Sequence, residues 1–92
     1  PINPATDDYL KSAMNRAVAV NSRLMVIRLN TPGGLVPSMQ SMVQTLLQSE
    51  VPVAVYVTPA GGSATSAGVF ITLAGNVAAM APGTTIGAAH PV

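Results

Sequence analysis

Three short apolar runs, Leu24 to Leu29, Val53 to Val57 and Asn76 to Ala81, recur along this chain with helix-length segments between them. Runs this short, rich in Val, Ile, Leu and Met and closed off by Asn, Pro or Gly, have the character of strands covered on both faces. A strand, a helix and a second strand in the same direction form a β-α-β crossover. The alternation therefore predicts an α/β fold built on a mostly parallel sheet.

The segments between the runs carry helical signals. Thr6 can cap a first helix with Asp7 and Asp8 in its opening turn, where the helix dipole favours negative charge. Leu10, Met14, Ala17 and Val18 then make one apolar stripe, Lys11 and Arg16 face away, and Asn21 or Ser22 ends the element. A second helix runs from about Pro37 to Gln48 with Met39, Met42, Val43, Leu46 and Leu47 at helical spacing and its Gln and Ser residues toward solvent. These methionines, with Met14, Met25 and Met80, and the aromatics Tyr56 and Phe70 are assigned to the core. The longest apolar tract, Ala67 to Ala81, is broken by Thr72, Gly75 and Asn76. It falls short of the ~20 residues that span a bilayer, and predicts a buried helix followed by a buried strand. The start of the chain has neither the basic region nor the apolar core of a signal peptide.

Composition narrows the function. The last formally charged residue is Glu50, and a net charge of +1 offers no patch able to hold several phosphates, which argues against nucleic acid as a partner. Without cysteine there is no thiolate ligand or thiol nucleophile, and one histidine with three scattered carboxylates predicts no metal site and no cofactor. A domain of 92 residues buries only roughly 60 to 65% of its unfolded surface. Residues 1–92 are accordingly expected to be a fragment of a single larger domain, completed by further sequence or by a partner copy.

In an open parallel sheet, ligands gather beyond the carboxyl ends of the strands. Two Gly-rich turns lie there: Thr31-Pro32-Gly33-Gly34, and Gly61-Gly62-Ser63-Ala64-Thr65-Ser66-Ala67-Gly68. The second places Ser66 at the start of an apolar helical run, beside peptide N–H groups that have no partner within a helix. Two clusters of bare amides could converge on one oxyanion, the outline of an acyl-transfer site. The same small residues also suit a helix packed closely on the sheet with Ser66 as its N-cap. A phosphate loop is disfavoured, since neither turn carries a P-loop lysine or a full GxGxxG pattern. Asn30, beside the first turn, fits a structural role at the strand end.

Three linked motifs, Leu29-Asn30-Thr31-Pro32-Gly33-Gly34, Tyr56 to Gly68, and Met80-Ala81-Pro82-Gly83-Thr84-Thr85-Ile86-Gly87-Ala88-Ala89, resemble the protease domain of the NfeD family over nearly the whole chain. That family is similar to the Clp protease and crotonase superfamily. The resemblance implies a Clp/crotonase-like fold and a membrane-associated serine endopeptidase acting on hydrophobic segments of a stomatin-like protein. It implies Ser66 as nucleophile, Ser63 as a non-catalytic position, and an oxyanion hole from the N–H groups of Gly34 and Ala67. A homodimer or higher homo-oligomer, and a membrane anchor outside these residues, are implied as well, with the protease domain on the extracytoplasmic side.

The implied base is a lysine downstream of the Ile-Gly-Ala-Ala segment, whereas this chain ends at Val92 and its only lysine, Lys11, lies on the first helix facing solvent. A serine hydroxyl without a base is a weak nucleophile, so these residues alone are expected to be inactive. His90 follows Ser66 at about the spacing of the histidine in Clp proteases and is the substitute candidate, although no Asp or Glu follows Glu50 to orient its ring. The competing readings are a catalytically silent peptide-binding scaffold of the same fold and a crotonase-like acyl-CoA enzyme.

Overall fold

The computed structural model describes residues 1–87, so His90 and the Ala88-Ala89 end of the third motif lie outside the described residues. The chain alternates as the apolar runs predict: α1 (Pro4–Ala19), β1 (Met25–Leu29), α2 (Val36–Leu47), β2 (Val53–Val57), β3 (Ser63–Thr65), α3 (Ala67–Ala74), β4 (Val77–Met80) and β5 (Thr85–Gly87). A parallel sheet has the order β1-β2-β4, with Met25 opposite Val53 and Ala54 opposite Val77. A second parallel pair, β3-β5, sets Ser63 opposite Thr85. The region between the second strand and the third helix, read from sequence as loop, thus contains β3.

The first helix begins earlier than its acidic turn predicts. Asn3 is the N-cap: its Oδ1 accepts from the Thr6 N–H at 3.0 Å, and the Thr6 Oγ1 accepts from the Asn3 N–H at 2.9 Å. Thr6 is the returning partner of this capping box, not the cap, and Pro4 fits the first turn because it has no N–H to leave unpaired. Replacing Asn3 with alanine should remove about 1 kcal/mol of stability, read as a lower unfolding midpoint with an unchanged denaturant slope.

The odd positions of β1 and β2 form the core. Val53, Val55 and Val57 are fully buried, and pack with Leu29 against Leu10 and Met14 of α1, Met42 and Leu46 of α2, and Ile71 of α3. All three helices contribute to this one face. The other face, formed by Val26, Arg28, Ala54, Tyr56, Val77 and Ala79, has no helix over it among the described residues. Val26 is 55% exposed and all of β4 is exposed, which corrects the expectation of strands buried on both sides. An apolar run marks a strand that can be covered; it does not supply the element that covers it.

The helix stripes need similar correction. Val18, Leu47, Phe70 and Leu73 are exposed, while Ser38, expected toward solvent, is buried. Val18 lies at the margin of the packed face of α1, whereas Leu73 points away from the face of α3 that Ala67, Gly68, Ile71 and Thr72 bury. Leu10, Met14, Met42, Leu46 and Ile71 hold the centre.

Candidate active site

Parallel pairing brings the carboxyl ends of β1 and β2 to the same edge, and both Gly-rich turns emerge there. They are joined at once. The Thr31 N–H donates to the Ser63 carbonyl at 2.7 Å, and the Thr65 N–H donates to the Thr31 carbonyl at 3.2 Å. Asn30 accepts the Ser63 N–H on its Oδ1 at 3.0 Å, so its side chain is a structural clasp. On the other side β5 closes the arrangement, with the Ser66 N–H donating to the Gly87 carbonyl at 2.9 Å. β3 has no hydrophobic pattern of its own and is held as a strand by these neighbours.

The chain then turns sharply at Ser66, which has φ 54° and ψ −120° and opens α3. A non-glycine residue in that region carries strain of order 1–3 kcal/mol and is found where the surroundings impose it. A strand-to-helix turn of this kind projects its side chain outward, the geometry of a nucleophile elbow. Ser66 is exposed, and its hydroxyl makes no hydrogen bond among the described residues. The N-cap reading therefore holds for its position only, because the side chain caps nothing. The Ser63 hydroxyl, by contrast, donates to the Thr31 carbonyl at 3.3 Å.

Gly33 meets Ser66 across the turn. A Cβ on Gly33 would stand 2.8 Å from the Ser66 Cβ and 3.2 Å from its Oγ, and Gly33 has φ +116°. Both the backbone conformation and the contact require glycine at this point. Gly68 has the same function in the first turn of α3, where a Cβ would lie 2.7 Å from the Thr31 Cγ2. The Pro-Gly-Gly turn, the serine and the first turn of α3 are thus in direct contact.

Among the described residues the N–H groups of Gly34, Ala67 and Gly68 find no acceptor. These are polar donors at the tips of strands and the start of a helix, where an anionic oxygen would be stabilised. Lys11 does not belong to the site: its Nζ pairs with the Asp7 carboxylate at 3.3 Å on α1, and it is half exposed as its position on the helix predicts. No lysine or histidine among the described residues hydrogen-bonds Ser66. Nor do any three His, Cys, Asp or Glu side chains among them come together as metal ligands.

A groove of about 480 Å3 lies elsewhere, between α1 and β1, lined by Tyr9, Leu10, Met25, Ile27 and Ile71 among others. Ser66 does not line it, although Asn30 and Thr31 do.

The family model described as the NfeD1b N-terminal domain matches residues 1–92. The membrane-bound protease PH1510 of Pyrococcus horikoshii is 49% identical over 91 residues, which are 99% of this chain and 21% of that protein. The membrane protein NfeD1b of Bacillus subtilis is 37% identical over 81 residues, 88% of this chain and 18% of that protein.

Among solved structures, a lysine-to-alanine mutant of the 1510-N membrane-bound stomatin-specific protease in complex with a substrate peptide superposes with a TM-score of 0.95 at 43% identity, over 99% of this chain and 42% of that one. A serine-to-alanine mutant of the same protease matches with the same TM-score at 42% identity, over 99% of this chain and 44% of that one. The chain thus spans about a fifth of the curated relatives and two-fifths of the solved chains. Its parallel α/β architecture is that of the protease's N-terminal domain, consistent with an incomplete Clp/crotonase-like fold.

Proposed function

Because this chain belongs to the NfeD1b N-terminal-domain family, we propose that it carries the nucleophile and oxyanion hole of a serine endopeptidase. The observation that carries the reading is an exposed Ser66 hydroxyl, free of hydrogen bonds among the described residues, on a strained turn against Gly33. In the proposed reaction the Ser66 Oγ attacks the carbonyl carbon of the scissile peptide bond while a base removes the hydroxyl proton. The carbonyl oxygen becomes an oxyanion that accepts from the Gly34 and Ala67 N–H groups. Collapse breaks the C–N bond, the departing amine takes the proton, and water then hydrolyses the ester and restores the serine.

The base in this reading is a lysine supplied by sequence outside these residues. One solved relative bears a serine-to-alanine change and another a lysine-to-alanine change, the pair of side chains a Ser-Lys dyad requires. His90 is the alternative base and lies outside the described residues.

The substrate we infer is an apolar segment of a stomatin-like protein, in keeping with the stomatin specificity of the 1510-N protease and with a site free of charged side chains. Among the described residues no helix is long and apolar enough to cross a membrane. Membrane association through other parts of the protein, an extracytoplasmic protease domain and a homodimer or higher oligomer complete the reading. The free hydroxyl favours peptide hydrolysis over stabilisation of a thioester enolate, which would leave Ser66 without a task.

A fluorophosphonate probe tests the assignment on the full-length protein. Its adduct is expected on Ser66, and labelling should survive Ser63→Ala. An adduct on Ser63, or labelling that persists in Ser66→Ala, would reverse it.

A further inference from the structure

We propose that Thr31 is the positioning residue of the oxyanion hole: its hydroxyl fixes the Gly33–Gly34 peptide so that the Gly34 N–H faces the site. The proposal rests on the serine-endopeptidase reading and extends it to a residue that touches neither substrate nor nucleophile.

Thr31 is 3% exposed, and its Oγ1 is used entirely within the turn. It accepts from the Gly33 N–H at 3.1 Å and donates to the Gly33 carbonyl at 3.2 Å. The same carbonyl accepts the Ile2 N–H at 3.0 Å. Gly33 C=O and Gly34 N–H belong to one planar trans peptide, whose two dipolar ends point in opposite directions. Two donors on the carbonyl end therefore aim the N–H end away from Thr31 and Ile2. That N–H has no acceptor among the described residues.

The rest of Thr31 reaches the other half of the site. Its Cγ2 occupies the space beside Gly68 in the first turn of α3, where a glycine Cβ would come within 2.7 Å. Its carbonyl accepts from the Thr65 N–H and Oγ1, both at 3.2 Å, immediately before Ser66. One buried side chain thus links the peptide that offers the Gly34 donor to the helix that offers the Ala67 donor. A glycine pair is the most pliable of dipeptides, and without the hydroxyl this peptide plane keeps only the Ile2 N–H as a donor to its carbonyl.

Thr31→Val keeps the shape and removes the hydroxyl; Thr31→Ser keeps the hydroxyl and removes the methyl. In the full-length protein, with a quenched-fluorescent peptide covering an apolar segment of a stomatin-like protein, Thr31→Val should lower kcat roughly 10- to 100-fold with KM within about twofold. Thr31→Ser should stay within a few-fold of the wild type. A peptide boronate, whose tetrahedral adduct places an oxygen in the oxyanion hole, should lose affinity in Thr31→Val by about the factor seen in kcat. The uncleaved peptide should bind Ser66→Ala and Thr31→Val/Ser66→Ala equally, a readout that a general loss of structure would move.

Wild-type kcat in Thr31→Val overturns the proposal, as does a loss in Thr31→Ser as large as that in Thr31→Val. Cleavage that survives Ser66→Ala overturns the endopeptidase reading and this proposal with it. Inactive Ser66→Ala beside fully active Thr31→Val removes the positioning role alone.

Discussion

Replacing Ser66 with alanine in the full-length protein is expected to abolish peptide cleavage, a loss of roughly 10^4-fold or more, while substrate still binds. The residual rate comes from an oxyanion hole acting on water, which lacks the pre-positioned nucleophile. Ser66→Gly separates activity from stability. Both variants lose the hydroxyl, but glycine adopts φ 54° and ψ −120° with little strain, so Ser66→Gly should raise the unfolding midpoint by the equivalent of about 1 kcal/mol. Alanine keeps the strain and should leave the midpoint near that of the wild type. A protein that gains stability as it loses its chemistry would identify residue 66 as a site of stored strain. Unchanged cleavage in either variant would remove the serine from the mechanism.

Gly33→Ala is expected to damage both fold and site. The new methyl would stand 2.8 Å from the Ser66 Cβ, inside any normal carbon–carbon contact, on a backbone with φ +116° that alanine resists. Relief requires the Pro-Gly-Gly turn and the serine elbow to move apart, which misplaces one oxyanion donor relative to the nucleophile. A shift of about 1 Å is enough for a loss of ~10^2-fold in kcat. The backbone strain adds about 1–3 kcal/mol of destabilisation, visible in thermal unfolding. Measured together, kcat and the unfolding midpoint should both fall. Full activity in a normally folded Gly33→Ala would mean that the close approach of the two turns is incidental to the reaction.

The parts of this molecule written in single segments were legible in the sequence. Val53 to Val57 reads as a strand and is one, and the alternation of runs with helices gives the parallel pairing because a crossover helix leaves few other solutions. The turns at Gly33 and Gly61 to Gly68 fall at the carboxyl edge for the same reason. What depends on several segments at once was not legible. β3 is three small residues, Ser63, Ala64 and Thr65, with no period of their own, and it exists because Thr31 lies on one side and β5 on the other.

The capping exchange at Asn3 and Thr6 was hidden because both residue types cap helices, and only the chain's path decides which one stands outside the first turn. The positive φ of Ser66 has no residue-type signal either. A serine flanked by small residues between a strand and a helix is the nearest clue. The hydroxyl of Thr31 carries no signal beyond that of a turn residue, and Ile2 carries none, since it acts through its backbone. The exposure of one face of the sheet has a related cause. Val26 and Val77 report that these strands accept apolar neighbours, not that this stretch provides them.

Among the described residues β1 and β4 are the margins of the three-stranded sheet, which has a consequence for how the protein must be made. Natural strands at a sheet margin are guarded against sticking to copies of themselves by lysine, proline or a bulge. β1 has Arg28, but β4, Val77-Ala78-Ala79-Met80, has no such gatekeeper and lies in a stretch without a formal charge after Glu50. A ribosome-bound chain folded as far as β4 displays an unguarded greasy ribbon, and the crowding of neighbouring nascent chains becomes the hazard. Rapid shielding of that ribbon, by chaperone or by the next element to fold, is then a condition of obtaining the folded protein at all.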